Sequence, residues 1–213
     1  MISKFDQYEA LFKELDKNLK ENVHFYIIGG AVMLYHGLKP ATKDIDIVVE
    51  TSREFRVTNA VLKEIQFVSQ IPSLDYKRFD LNQIFVRNDY RIDLFQKIVC
   101  RGFRLSDGMK KRAETVFFTF ENLTVSLCSL TDIFMFKTFT ERPGDIDDCT
   151  LLAQEDIDWP AMLVEIKEQI SLSEKPVWIT YVAERLDLLA EEVEIPIKKD
   201  IDNLRDEFFE SLE

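Results

Sequence analysis

The chain has 213 residues, 46% of them apolar and 31% charged, with 17 Phe and a formal net charge of −12. That is ample material for a packed core, which excludes intrinsic disorder, and no apolar run approaches the ~18–20 residues that span a bilayer. Three cysteines (Cys100, Cys128, Cys149) lie far apart and never form a CxxC, which excludes a disulfide framework and argues against a cysteine-based zinc site. The opening MISKFDQYEALFKEL carries acids and no apolar leader core, so a cytoplasmic location is expected. Charge is unevenly spread. Residues 1–140 hold 20 basic against 18 acidic side chains, and residues 141–213 hold 7 against 21. An acidic tail repels phosphate, so nucleotide chemistry is expected in the first two-thirds, with no membrane or double-stranded DNA as partner.

In chain order, residues 3–20 place Phe5, Tyr8, Leu11, Phe12, Leu15 and Leu19 at three- and four-residue steps, which predicts an amphipathic helix. His24–Ile28 reads as a buried strand running into Gly29-Gly30. A short helix follows over 31–38, stopped by Gly37 and Pro40. DIDIVVE (44–50) predicts a strand, and 52–66 a helix with Ser52 as N-cap and Glu54 in its first turn. From Tyr76 the period becomes two. Residues 78–87, a turn at Asn88-Asp89 and residues 90–96 predict an antiparallel hairpin.

The basic stretch 101–112 predicts a loop and a short helix capped by Ser106 or Asp107. Its Arg101, Arg104, Lys110, Lys111 and Arg112 suit either a solvated face or a landing strip for triphosphate or RNA. Residues 115–120 and 123–130, joined at Glu121-Asn122, predict another β pair. Beyond that the signal is helical: 131–139, a break at Pro143-Gly144, 145–154, 159–170, 177–193 and a last helix from about Lys198. The order implies an α/β (α+β) fold: a mixed β-sheet core flanked by helices over residues 1–128, then an acidic helical lobe over 129–213.

Chemistry concentrates in three places: Gly29-Gly30, Thr42-Lys43-Asp44-Ile45-Asp46, and Asp93 within YRIDLF. Alternation on a strand points Asp44 and Asp46 one way and Ile45 and Ile47 the other. Two converging carboxylates hold hard divalent cations, and without a cation they repel. Asp93 has the same setting between Ile92 and Leu94. If the two strands are neighbours, three carboxylates meet on one polar face, a site suited to Mg²⁺ completed by substrate phosphates. The diglycine lets backbone N–H groups approach a polyphosphate. Neither the dinucleotide fingerprint nor the P-loop pattern occurs. His24 is expected to be strand packing, His36 a helix-end residue, and Trp159 and Trp178 core anchors of the helical lobe.

IIGGAVMLYHGLKPATKDIDIVV resembles the signature of the polymerase-beta-type nucleotidyltransferase superfamily, and more narrowly its minimal and abortive-infection, toxin-like branch. The matching positions are Ala31, Thr42, Asp44, Asp46 and Asp93. LTDIFMFKTFTERPGDIDD (130–148) is similar to the helical segment of such proteins, with Lys137, Arg142 and Asp145 at the matching positions. Many members carry Gly-Ser where this chain has Gly29-Gly30. The resemblance implies an enzyme that moves an NMP from an NTP, such as ATP, to a hydroxyl of a protein or RNA acceptor, releasing pyrophosphate. It further implies that Asp44, Asp46 and Asp93 bind Mg²⁺ or Mn²⁺ and catalyse, while Gly29, Gly30, Thr42, Lys43, Lys137 and Arg142 bind nucleotide. A toxin-like role follows from the resemblance alone. Two rivals stay open: a metal-dependent phosphodiesterase or nuclease using the same acids, and a catalytically silent nucleotide-binding module.

Overall fold

A computed structural model describes residues 2–72, 80–99, 102–117, 119–140, 142–172 and 176–212. The expected strand residues Arg78 and Phe79, together with Tyr76, Cys100, Arg101 and Phe118, lie outside the described residues. Two compact units emerge, Met1–Ser129 and Leu130–Glu213.

The first unit is built on a mixed seven-stranded sheet in the order β3-β4-β5-β2-β1-β9-β8. Its strands are β1 (Val23–Ile28), β2 (Ile45–Val49), β3 (Val68–Gln70), β4 (Gln83–Arg87), β5 (Tyr90–Gln96), β8 (Glu114–Val116) and β9 (Leu123–Leu127). A separate ribbon pairs β6 (Ile98–Val99) with β7 (Phe103–Arg104). The β1–β9 and β2–β5 pairs run parallel, and the other pairs of the large sheet run antiparallel. Ile45, Ile47, Ile92 and Leu94 are all fully buried, so β2 and β5 turn their aliphatic positions into one core layer.

Helix α1 (Asp6–Asn18) buries Tyr8, Leu11, Phe12 and Leu15, the stripe that its periodicity predicts. Phe12 meets Phe25 of β1 edge-on, with centroids 6.2 Å apart. One turn later Asp16 leaves that apolar register and is still buried. Its carboxylate accepts from the backbone amides of Glu121, Asn122 and Leu123, which clamps the β8–β9 turn. β8 stops at Val116, short of the expected Phe120, because Phe117 adopts a left-handed backbone, φ 58°.

The helix expected over 52–66 is α3 (Ser52–Glu64), following α2 (Gly30–Tyr35), but its cap is Thr51 and not Ser52. Glu54 decides this. The Thr51 hydroxyl accepts from the Glu54 amide while the Glu54 carboxylate accepts from the Thr51 amide, a reciprocal box counted from Thr51. Ser106 caps α4 (Asp107–Arg112) by accepting from the Met109 amide. Strands β3, β6 and β7 have no counterpart among the predicted elements. They are two or three residues long, too short to display a period.

The second unit is helical among its described residues: α5 (Leu130–Thr138), α6 (Pro143–Leu152), α7 (Trp159–Leu172), α8 (Trp178–Leu189) and α9 (Lys198–Glu210). Residues 131–138 of α5 are buried on every side, so this helix is the unit's core, with α6, α7 and α8 around it. Trp159 meets Phe134 edge-on and Trp178 meets Phe139 likewise, at 5.2 and 5.3 Å; Trp178 is fully buried and anchors the core as expected, while Trp159 is half-buried at its edge. Pro143 opens α6 at the first helical position, where its missing N–H deprives no carbonyl of a partner.

Candidate active site

Strand register brings two of the three predicted carboxylates side by side. Parallel pairing of β2 with β5 sets Asp46 directly beside Asp93, and antiparallel pairing of β1 with β2 sets Ile28 beside Asp46. Side chains paired this way project from the same face, with neighbouring strands ~4.8 Å apart. Asp44 precedes β2 by one residue and is half-buried, as is Asp46. Asp93 is buried. Its two oxygens accept from Arg91 Nε and Nη2, each at 2.8 Å.

β1 delivers the diglycine onto this face. Gly29 has φ 70° and ψ −145°, a conformation open to glycine and strained for other residues. A Cβ placed on Gly29 would lie 2.3 Å from Asp46 Oδ2, and one on Gly30 would lie 2.6 Å from Thr42 Oγ1. Both glycines are therefore demanded by what they face, the Asp46 carboxylate and the Thr42 hydroxyl. Thr42 is buried, donates to the Asp44 carbonyl at 3.2 Å, and exchanges backbone hydrogen bonds with Ile2. Lys43 beside it is exposed.

Tyr8 of α1 was legible only as part of an apolar stripe, yet its hydroxyl is buried with no hydrogen-bond partner among the described residues. Burial first, then the charges of Asp44 and Asp46 and the Tyr90 phenol, push that hydroxyl well above its ordinary pKa. Arg91 was also missed as a site residue. Its signal was present: in YRIDLF it stands two positions before Asp93 and so shares its face.

The remaining predicted residues lie elsewhere. In the second unit, Lys137 is buried, with its ammonium 2.7 Å from Asp145 Oδ1 and 2.8 Å from Asp148 Oδ2. Burial works against the charged lysine, but the two aspartates outweigh it and raise its pKa. Burial likewise opposes the Asp145 carboxylate, and Lys137 with Arg142 outweighs it and lowers that pKa. Arg142 caps α6 and reaches Asp145 Oδ2 with Nε at 3.0 Å.

In the first unit, Lys110 pairs with Glu50 and Asp107 at 2.8 and 2.7 Å. His24 Nε2 meets Ser126 Oγ at 2.8 Å and its ring stacks on Tyr26, so it packs between strands. Burial, only partly offset by Glu54 and Glu50, lowers its pKa. His36 ends α2, as expected. A cavity of about 330 Å³ between Glu21, Glu50, Thr51, Arg53 and Glu54 includes none of the predicted site residues.

The donor set is carboxylate oxygen throughout, which suits Mg²⁺ or Mn²⁺. The space facing Asp46 is glycine backbone that any side chain would fill. The paired carboxylates of Asp46 and Asp93 are donors of the kind a hard divalent cation takes. Among the described residues, no three acidic, imidazole or thiol groups stand close enough together to hold a metal ion. Asp93 is turned to Arg91 instead.

A mixed sheet with a diglycine turn and paired strand aspartates defines a nucleotidyltransferase fold. Similar solved structures bear this out. A crystal structure of ANT(2'')-Ia in complex with adenylyl-2''-tobramycin matches with TM-score 0.51 at 14% identity, over 79% of this chain and 99% of that one. The solution structure of the antibiotic-resistance factor ANT(2'')-Ia matches with TM-score 0.51 at 15% identity, over 78% and 92%. No curated protein matches the sequence. Residues 4–178 match the family described as nucleotidyltransferase of unknown function (DUF6036), and the chain belongs to that family. It is accordingly a transferase.

Proposed function

We propose that the protein is a metal-dependent nucleotidyltransferase that moves an NMP from an NTP to a hydroxyl of a protein or RNA acceptor. One observation carries this reading. Asp46 stands beside Asp93 in register, and the Gly29 backbone closes on the Asp46 carboxylate so tightly that no side chain fits between them.

In the reaction, an acceptor oxygen forms a bond to the α-phosphorus, the bond from that phosphorus to the bridging oxygen breaks, and pyrophosphate departs with the electron pair. Asp44 and Asp46 hold Mg²⁺ or Mn²⁺, and Asp93 completes the site and takes the acceptor's proton. When bound, the metal offsets the charge that builds on the attacking and leaving oxygens. Gly29 and Gly30 present backbone to the β- and γ-phosphates, and Thr42 and Lys43 flank them. Lys137 and Arg142 are assigned nucleotide contacts on the resemblance of residues 130–148. The location is proposed to be cytoplasmic.

Incubation with each α-labelled NTP, Mn²⁺, and cell RNA or lysate tests the reading. Label on RNA or protein with release of pyrophosphate is the expected result. RNA cleavage without pyrophosphate would instead establish the nuclease, and binding without turnover the silent module. Because ANT(2'')-Ia is seen with an adenylylated aminoglycoside, a small-molecule hydroxyl acceptor belongs in the same assay.

A further inference from the structure

Asp93 is the most deeply placed of the three acids, and both of its oxygens are engaged by one guanidinium. A buried carboxylate beside a second acid needs a countercharge, and Arg91 supplies it in fork-on-fork geometry. The same pairing covers the oxygens that the proposed cation requires. β5 lies between β2 and β4, so Asp93 cannot withdraw without breaking the sheet. The Arg91 side chain retains 28% exposure and has a route away.

We propose that Arg91 is a positioning residue that neutralises Asp93 in the nucleotide-free enzyme and transfers its guanidinium to the triphosphate when the metal-bound nucleotide arrives. The inference rests on the nucleotidyltransferase reading and names the device that couples metal occupancy to nucleotide. A guanidinium and a divalent cation repel each other, so the two do not share one carboxylate comfortably. Phosphate oxygens offer the fork the same geometry that a carboxylate does. Metal alone therefore binds poorly, and metal with triphosphate binds well, because only the second gives Arg91 somewhere to go.

The test is Mn²⁺ binding to the full chain without nucleotide, followed by the electron paramagnetic resonance of free Mn²⁺, for wild type, Arg91→Gln, Arg91→Lys and Asp93→Asn. Arg91→Gln is expected to bind Mn²⁺ about tenfold more tightly than wild type, the effect of one removed neighbouring charge at partly screened distance. The same variant should bind a non-hydrolysable NTP analogue with Mn²⁺ several-fold more weakly. Arg91→Lys keeps the charge and loses the fork, so its metal affinity stays at the wild-type level while analogue affinity falls.

Unchanged or weaker Mn²⁺ binding by folded Arg91→Gln overturns the proposal. So does full analogue affinity in Arg91→Lys, which decides the matter if Arg91→Gln does not fold. Wild-type Mn²⁺ binding that Asp93→Asn abolishes, with both Arg91 variants behaving as wild type, sinks only the Arg91 inference. Absence of saturable Mn²⁺ binding both in Arg91→Gln and in wild type with the analogue sinks the metal site as well.

Discussion

Gly29 and Asp46 occupy complementary space: the carboxylate oxygen stands where a side chain on residue 29 would begin, 2.3 Å from the ideal Cβ. Gly29→Ala therefore carries two penalties, a clash with Asp46 and a positive φ of 70°. Together they should cost about 2–3 kcal/mol of stability. Adding Asp46→Ala removes the clash and leaves the φ strain, so the double variant should recover part of the loss. Urea unfolding of the two single variants and the double variant measures this coupling. Strict additivity would show that residue 29 and the carboxylate do not meet.

Asp46→Asn preserves shape and removes charge. If Asp46 holds the cation, NMP transfer should fall by at least ~100-fold, in line with losing a group that stabilises transition-state charge. The fold should persist, and near-ultraviolet circular dichroism should match wild type. Full transfer activity in Asp46→Asn would displace the reaction from this face of the sheet.

Much of this site was legible because alternation is a strong rule over short distances. Asp46 and Asp93 each stand between aliphatic residues, with Asp44 two positions before Asp46, and the structure buries Ile45, Ile47, Ile92 and Leu94 as that pattern demands. Parallel pairing of β2 with β5 was a condition of the reading, since no local pattern reveals which strands become neighbours. The cap at Thr51 lay one residue from the expected position because Glu54 favours a partner three positions back. Lys137 shows the opposite limit. Phe134, Phe136 and Phe139 marked an apolar helix, but its countercharges come from a different helix and leave no trace in that helix's own period.

Tyr8→Phe should leave the protein as stable or more stable by about 1 kcal/mol, because it removes a buried hydroxyl that lacks a partner among the described residues. The folded phenol titrates above its ordinary value of 10.0, chiefly through burial and then through Asp44 and Asp46. The unfolded chain thus ionises first on raising pH. Wild-type stability contributed by this group is intact below pH 10 and is lost as pH rises through the folded value. Tyr8→Phe should shed that part of the alkaline loss, and thermal melts between pH 8 and 11 compare the two slopes. Equal slopes would remove Tyr8 from the electrostatic neighbourhood of the acids.

Lys137→Met leaves Asp145 and Asp148 buried around an apolar side chain, which should destabilise the helical unit by about 3–5 kcal/mol. The pH signature separates this role from nucleotide binding. Asp145 is held below its ordinary 3.8 despite burial, by Lys137 and then Arg142. Its contribution is therefore complete above pH 3.8 and disappears as pH falls through the lower folded value. In Lys137→Met that acid-side loss should shrink or reverse, because the remaining carboxylates take up protons more readily when folded. Should Lys137→Met keep wild-type stability across pH 3–7 while its dissociation constant for Mn²⁺-NTP rises tenfold, the lysine serves nucleotide and not the core. The two buried ion pairs, each under 3 Å, predict that stability falls whether or not the lysine also meets nucleotide.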